Sequence, residues 1–203
     1  MSLSPQSLVP PMQMSPTRLR VALARRLMAL LWLLALLFAP LAGRAEGPEL
    51  STFEVSRGEE GLLLSYAVKF ELPRGAEEAL SKAVPLYFVA EAEVFRDRWY
   101  WRDQSLAQVS RVWRIVYQPL TLTYRVTFGG LSQTYPNRTE ALAAISRNAR
   151  WKIAEPGATD DGGRHYVEFS FRLDTSLLPR PMQIGISGQA DWMLKVEKVQ
   201  RFN

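Results

Sequence analysis

From Leu62 onward the chain alternates apolar and polar side chains. Leu62, Leu64, Tyr66, Val68, Phe70 and Leu72 fall on one side of an extended backbone, and Ser65, Lys69 and Glu71 fall mostly on the other. A strand turns successive side chains to opposite faces, so this period of two describes a sheet with one face on a core and the other in water. The pattern returns in Leu86, Phe88, Ala90, Ala92 and Val94, and in Leu122, Tyr124, Val126 and Phe128. It is clearest where Val167, Phe169, Phe171 and Leu173 oppose Glu168, Ser170 and Arg172.

Between these runs lie turn and helix signals. Residues 50–57 read as a strand with Phe53 and Val55 on one side, joined by GEEG (58–61) to the strand at 62–72. Pro73 ends that strand, and GAEEALSKA has the composition of a two-turn helix. Residues 109–118 and 120–129 form a hairpin around Gln118-Pro119. A second helix is expected over 138–149, capped by Asn137 or Thr139, with Ala141, Leu142, Ile145 and Ala149 facing inward. Trp151 to Ala154 is a strand and EPGATDDGG a loop. PRPMQIGISG and ADWMLKVEK supply two closing strands, with Trp192, Leu194 and Val196 facing in. Many short strands, two brief helices and no βαβ rhythm predict a mainly β fold: an antiparallel, immunoglobulin-like β-sandwich with two short helices. The alternative is α+β, one curved antiparallel sheet with both helices packed on it.

Residues 1–45 have a different character. Arg18, Arg20, Arg25 and Arg26 precede an apolar run of 13 residues, Leu27 to Ala39, followed by Pro40 and the small residues Gly43 and Ala45. That is the layout of an export signal, and the run is shorter than the ~20 residues a spanning helix needs. The expectation is cleavage after Ala45 by the general route, a periplasmic location, and one domain over 46–203. The alternative is an uncleaved segment holding the domain to the inner membrane.

Removing the leader changes the charge. The chain has 25 Lys+Arg and 20 Asp+Glu, and the leader holds five Arg and no acid, which leaves a neutral domain. The high pI therefore gives no support to nucleic-acid binding. The domain is polarised along its length: residues 46–93 hold ten acids and four bases, whereas residues 94–154 hold three acids and ten bases. Pairing of strands from the two regions accounts for this most simply, and a basic partner-facing patch is the sharper reading. The chain has no Cys, and 46–203 is long enough to build a core without disulfides.

Catalytic signals are sparse. His165 is the only histidine, so a zinc site of His and Cys is excluded, and no G-x-S-x-G nucleophile pattern accompanies it. It reads as a surface histidine at a strand end. Asp160 and Asp161 before Gly162-Gly163 read as turn chemistry, without the alternating oxygen ligands of a calcium loop. No cofactor or metal is expected, and the chain does not read as an enzyme. The runner-up is an envelope glycan hydrolase using two carboxylates about 5–9.5 Å apart. Glu91 and Glu93 share a strand face but read as solvated charge.

The unusual segment is RDRWYWRDQ, residues 96–104. Arg96 and Arg98 continue the parity of the core-facing residues before them, so the strand must reach the core rim or a bulge must exchange its faces. Trp99, Tyr100 and Trp101 are consecutive, and at least one cannot point inward. RVWR (111–114) adds Trp113, Arg111 and Arg114. One reading is a structural ladder of Arg stacked on aromatic rings. The other is a contact surface for a sugar, peptide or protein, because Trp and Arg are common binding anchors. The candidate surface is Arg96, Arg98, Trp99, Trp101, Arg102 and Arg114.

The strings RWYW, RVWRIVYQPLTLTYRVTFGGLSQ, RLDTSLLPRPMQ and ADWMLKVE together resemble a family of exported proteobacterial proteins, domain of unknown function 4390, from about Val84 to the end. The resemblance implies a signal-bearing periplasmic protein whose genes often neighbour a nitrogen-type two-component sensor kinase and its regulator. It assigns no activity and no role to any residue. The function expected is thus a non-enzymatic periplasmic binding or protein-interaction module, with an envelope or membrane sensor protein as partner and the membrane met only through the leader where that segment stays uncleaved.

Overall fold

The alternating segments pair into two antiparallel sheets. The computed structural model describes residues 47–183, 186 and 190–202, and the Arg-led leader lies outside them. Among the described residues the strands are β1 (Glu49–Gly58), β2 (Gly61–Lys69), β3 (Leu86–Arg96), β4 (Gln104–Gln118), β5 (Thr123–Phe128), β6 (Leu131–Tyr135), β7 (Arg147–Ala154), β8 (His165–Leu173) and β9 (Lys195–Phe202). The helices are α1 (Arg74–Ser81), α2 (Arg138–Ile145) and the single turn α3 (Arg180–Gln183). A three-stranded sheet has the order β1-β2-β7, and a six-stranded sheet the order β6-β5-β4-β3-β8-β9.

The two sheets meet through aromatic rings. Phe53 and Tyr66 of the small sheet lie 5.4 and 4.6 Å from Phe169 of the large one, and Phe70 lies 5.5 Å from both Phe88 and Phe171. This is the sandwich expected, divided six and three, and the single curved sheet is set aside. The inward residues Leu86, Phe88, Ala90, Ala92 and Val94 of β3 are all fully buried, as their alternation requires. Each large apolar side chain so placed contributes about 1.5–3 kcal/mol of transfer free energy.

Local chemistry fixes the ends of the helices. Asn137 Oδ1 accepts the Glu140 N–H at 2.9 Å, and Asn137 Nδ2 donates to Glu140 Oε1 at 2.6 Å, so the cap at α2 is reciprocal. Glycine is required at position 75, because a Cβ there would lie 2.4 Å from the Trp192 indole nitrogen.

Several elements differ from expectation. The helix α2 ends at Ile145, and Ala149 is exposed instead of facing inward. The reason is β2, whose Tyr66 and Ala67 pair with Asn148 and Arg147 and draw the chain into β7. The pairing is bulged there. Arg150 adopts a left-handed φ of 51°, and its N–H donates to Ser65 Oγ at 3.1 Å. The strand β6 was not anticipated; Gly129 and Gly130 at φ 53° and 84° make a tight turn that folds it back on β5. Arg180–Gln183 of PRPMQIGISG is helical where a strand was expected, and residues 184–185 and 187–189 of that segment lie outside the described residues.

The charge polarity resolves as pairing. β2 of the acidic region pairs with β7 of the basic one, Arg138 pairs with Glu77, and Arg150 lies 3.7 Å from Glu60. Glu49 pairs with Lys69, whose neighbour Phe70 packs on Phe171, so β1 begins near the Leu173 end of β8. At the other end of β1 the Arg57 guanidinium lies over the Phe202 ring at 5.7 Å, beside His165 and Arg96.

Candidate functional site

The β3–β4 turn, residues 97–103, stands at this second end of the sandwich. β3 keeps its parity to the last residue, so Arg96 remains on the core side, in register with His165. The bulge lies on the partner strand: Val94 pairs with Ala107 and Phe95 with Ser105, leaving Leu106 extra. Arg96 therefore reaches the rim, where its Nη1 meets Asp161 Oδ2 at 3.0 Å. A methyl group on Gly163 would sit 2.9 Å from the Arg96 Nε, so this glycine leaves room for the guanidinium.

Both legs of the turn are fastened. The Asp97 N–H donates to Arg164 O at 2.8 Å, and the Asp97 carboxylate lies 3.3 Å from the Arg164 guanidinium. The Arg98 N–H donates to Asp103 Oδ1 at 3.0 Å, the Tyr166 hydroxyl donates to Asp103 Oδ2 at 2.7 Å, and the Arg98 guanidinium bonds Gln104. The Arg98 amide and then the Tyr166 hydroxyl hold the Asp103 carboxyl below its ordinary pKa. Burial, then the Asp103 hydrogen bond, raise that of Tyr166, which stays a donor. Tyr166 is steadied in turn by stacking on Phe95 at 5.1 Å.

Beyond these braces the chain projects into solvent. Trp99, Tyr100 and Trp101 are 85 %, 71 % and 74 % exposed, and the first two rings meet edge to face at 4.8 Å. Arg102 follows, exposed and with no ion pair among the described residues. Hence Arg96, Arg98, Trp99, Trp101 and Arg102 are gathered at one end, and Tyr100 joins them. Arg114 does not. It pairs with Tyr87, nine residues back along β3 from Arg96, or about 30 Å at strand rise, and is exposed elsewhere.

The aromatic–Arg ladder exists, but around a residue not in the candidate set. Arg111 faces the interior, with its guanidinium 5.1 Å from the Trp151 ring and 5.3 Å from that of Phe128, so one cation bridges the two sheets. Phe128 also stacks on Trp113 at 5.3 Å. Burial lowers the pKa of Arg111, opposed by the nearby Tyr66. The Tyr66 ring is 2 % exposed, and its hydroxyl lacks a hydrogen-bond partner among the described residues. Burial raises its pKa, while the nearby Arg111 and Asn148 oppose the shift. The sequence signal for Arg111 was its parity, shared with Trp113 and Ile115.

His165 corrects an expectation. It is 1 % exposed rather than at the surface, because its parity is that of Val167 and because Phe202 stacks over it at 6.0 Å. Its Nε2 lies 3.0 Å from Asp161 Oδ1, and among the described residues Nδ1 has no hydrogen-bond partner. The Gly163 N–H, then the charge of the nearby Arg96, hold the Asp161 carboxyl below its ordinary pKa.

Glu91, Glu93, Glu168 and Glu197 border a depression of about 360 Å³ on the outer face of the large sheet. Arg172 binds Glu91 in bidentate fashion, at 2.7 and 2.9 Å, and keeps it a carboxylate. A larger groove of about 810 Å³ lies at the opposite end of the sandwich from the aromatic turn, lined among others by Lys69, Phe70, Glu77, Arg138 and Arg147. Among the described residues, no group of three or more His, Cys, Asp or Glu could hold a metal ion.

Two facing antiparallel sheets, with a braced aromatic turn at one end, define a β-sandwich domain that presents rings to solvent. The chain belongs to a family defined by the domain of unknown function DUF4390, whose model matches residues 45–203, a longer stretch than the resemblance from Val84 covers. No curated protein and no solved structure matches the chain.

Proposed function

We propose that this chain is an exported, non-enzymatic interaction module of the cell envelope that contacts a protein partner through its β3–β4 turn. The observation that carries the reading is the exposure of three adjacent rings, Trp99, Tyr100 and Trp101, on a turn whose legs are held by Asp97, Asp103 and Tyr166. Exposed apolar side chains of this size are hydrated at a cost that a partner relieves. The braces limit the conformational entropy lost on contact. Arg98 and Arg102 flank the rings and add directional donors for a partner's carboxylates or carbonyls.

Export is supported by the Arg-led apolar leader and by a family match that begins where that leader is expected to end. The partner implied by the family resemblance is a membrane sensor protein, which the module would serve as an accessory. The carboxylates Glu91, Asp103 and Asp161 are poor candidates for the acid of a glycoside hydrolase, because their pKa values all move downward. A glycoside-cleaving acid needs the opposite shift.

The test is capture from envelope extracts by the native chain and by Trp99→Ala plus Trp101→Ala, with thermal unfolding run alongside. Loss of a captured envelope protein by about tenfold or more, with unfolding unchanged, is the expected result. Equal capture by the folded variant would refute the assignment of this surface.

A further inference from the structure

Among the described residues four strands leave an edge open, β1 and β7 in the small sheet and β6 and β9 in the large one. Open edges invite pairing with another chain, and charged side chains are a common defence. β1 carries Glu49, Glu54 and Arg57; β7 carries Arg147, Arg150 and Lys152; β9 carries Lys195, Glu197, Lys198 and Arg201. β6, with the sequence LSQTY, carries no charge and no proline, and its first four residues are exposed.

We propose that β6 is a self-association edge, where two copies of this chain pair antiparallel about a two-fold axis at Gln133 and join their large sheets into one of twelve strands. The sequence of β6 is self-complementary in this register. Leu131 faces Tyr135 of the second copy, Ser132 faces its Thr134, and Gln133 faces its Gln133. Apolar thus meets apolar, hydroxyl meets hydroxyl, and no like charges are opposed. Leu131, 78 % exposed in the single chain, gains a cover.

The backbone fits the same register. A two-residue turn at Gly129-Gly130 makes Phe128 and Leu131 a hydrogen-bonded pair, so Gln133 and Tyr135 also spend their amides on β5. The N–H and C=O groups of Ser132 and Thr134 then point to the open edge. In the two-fold pairing these two residues bond each other across the interface, and Gln133 occupies the close, non-bonded position between them. The contact is isologous and closes on itself, ending growth at two copies.

The test uses the chain expressed at full length and purified in the form the cell accumulates, with sedimentation over a range of concentrations. The native chain is expected to dimerise, and Gln133→Lys, which opposes two charges at the axis, to weaken the dimer about tenfold or more. Because the chain has no cysteine, Gln133→Cys can form a disulfide only between copies, and mild oxidation should link it where Val199→Cys on the β9 edge stays unlinked. A native chain that stays monomeric, a dimer indifferent to Gln133→Lys, or equal linking of the two cysteine variants would overturn the proposal.

Discussion

Arg111 and Arg102 belong to one hairpin and each lies close to tryptophan, yet the structure uses them in opposite ways. Arg111 is held between Trp151 and Phe128 and has become part of the interior, its charge satisfied by ring faces from both sheets. Arg102 follows three rings that touch little but each other and water. Composition does not separate these clusters, and parity does. Up to Arg96 every second residue of β3 meets the opposite sheet; beyond it the small sheet no longer covers the chain and the same residue types face solvent.

The largest difference between the clusters should appear in stability. Trp151→Ala removes a ring that is nearly fully buried, and it should cost about 3–5 kcal/mol in chemical denaturation. Trp99→Ala plus Trp101→Ala should stay within about 0.5 kcal/mol of the native chain, as exposed positions do. A comparable loss from both would erase the distinction.

The cations sharpen it further. Arg111→Met keeps much of the side-chain volume and removes the stacked charge, for an expected loss of about 1–2 kcal/mol. Arg102→Met should leave the unfolding midpoint where it was. If the two substitutions had equal effects, the inter-sheet cation would have no special role.

The smallest effect concerns Tyr66, which faces Arg111 across the interior. Its hydroxyl is buried with no hydrogen bond among the described residues, so Tyr66→Phe should gain about 1 kcal/mol. The pH dependence has a definite sign. The folded state holds the phenolic proton above the ordinary pKa of about 10, so the stability tied to the neutral hydroxyl is intact below that value and is lost as pH rises beyond it. Unfolding midpoints from neutral to alkaline pH should fall more steeply for the native chain than for Tyr66→Phe.

Much of this frame is legible in the amino-acid sequence. Strands with strong alternation, β2, β3 and β8, lie where their periods put them, and their inward residues form the core. The cap at Asn137 was visible from its spacing to Glu140. β6 was not, because LSQTY has no alternation, and only the glycine pair before it marks the turn. The end of α2 was hidden as well, since α2 and the start of β7 are alike in local composition and pairing with β2 decides between them. Within the candidate surface, the rings and Arg102 could be read from their crowding. The place of Arg114 depended on register, and the burial of His165 on Phe202, which is distant in sequence and adjacent in the sheet.

The direction of the strands also has a practical consequence. Glu49 and the aromatic turn lie at opposite ends of the sandwich, separated by roughly the length of β1, about 30 Å. A handle fixed before Glu49, whether a fluorophore, a bead or a sensor-chip linker, therefore leaves Trp99 and Trp101 unobstructed, whereas one fixed in the turn would mask them. Immobilisation through the amino-terminal side is the orientation in which a missing signal would carry meaning.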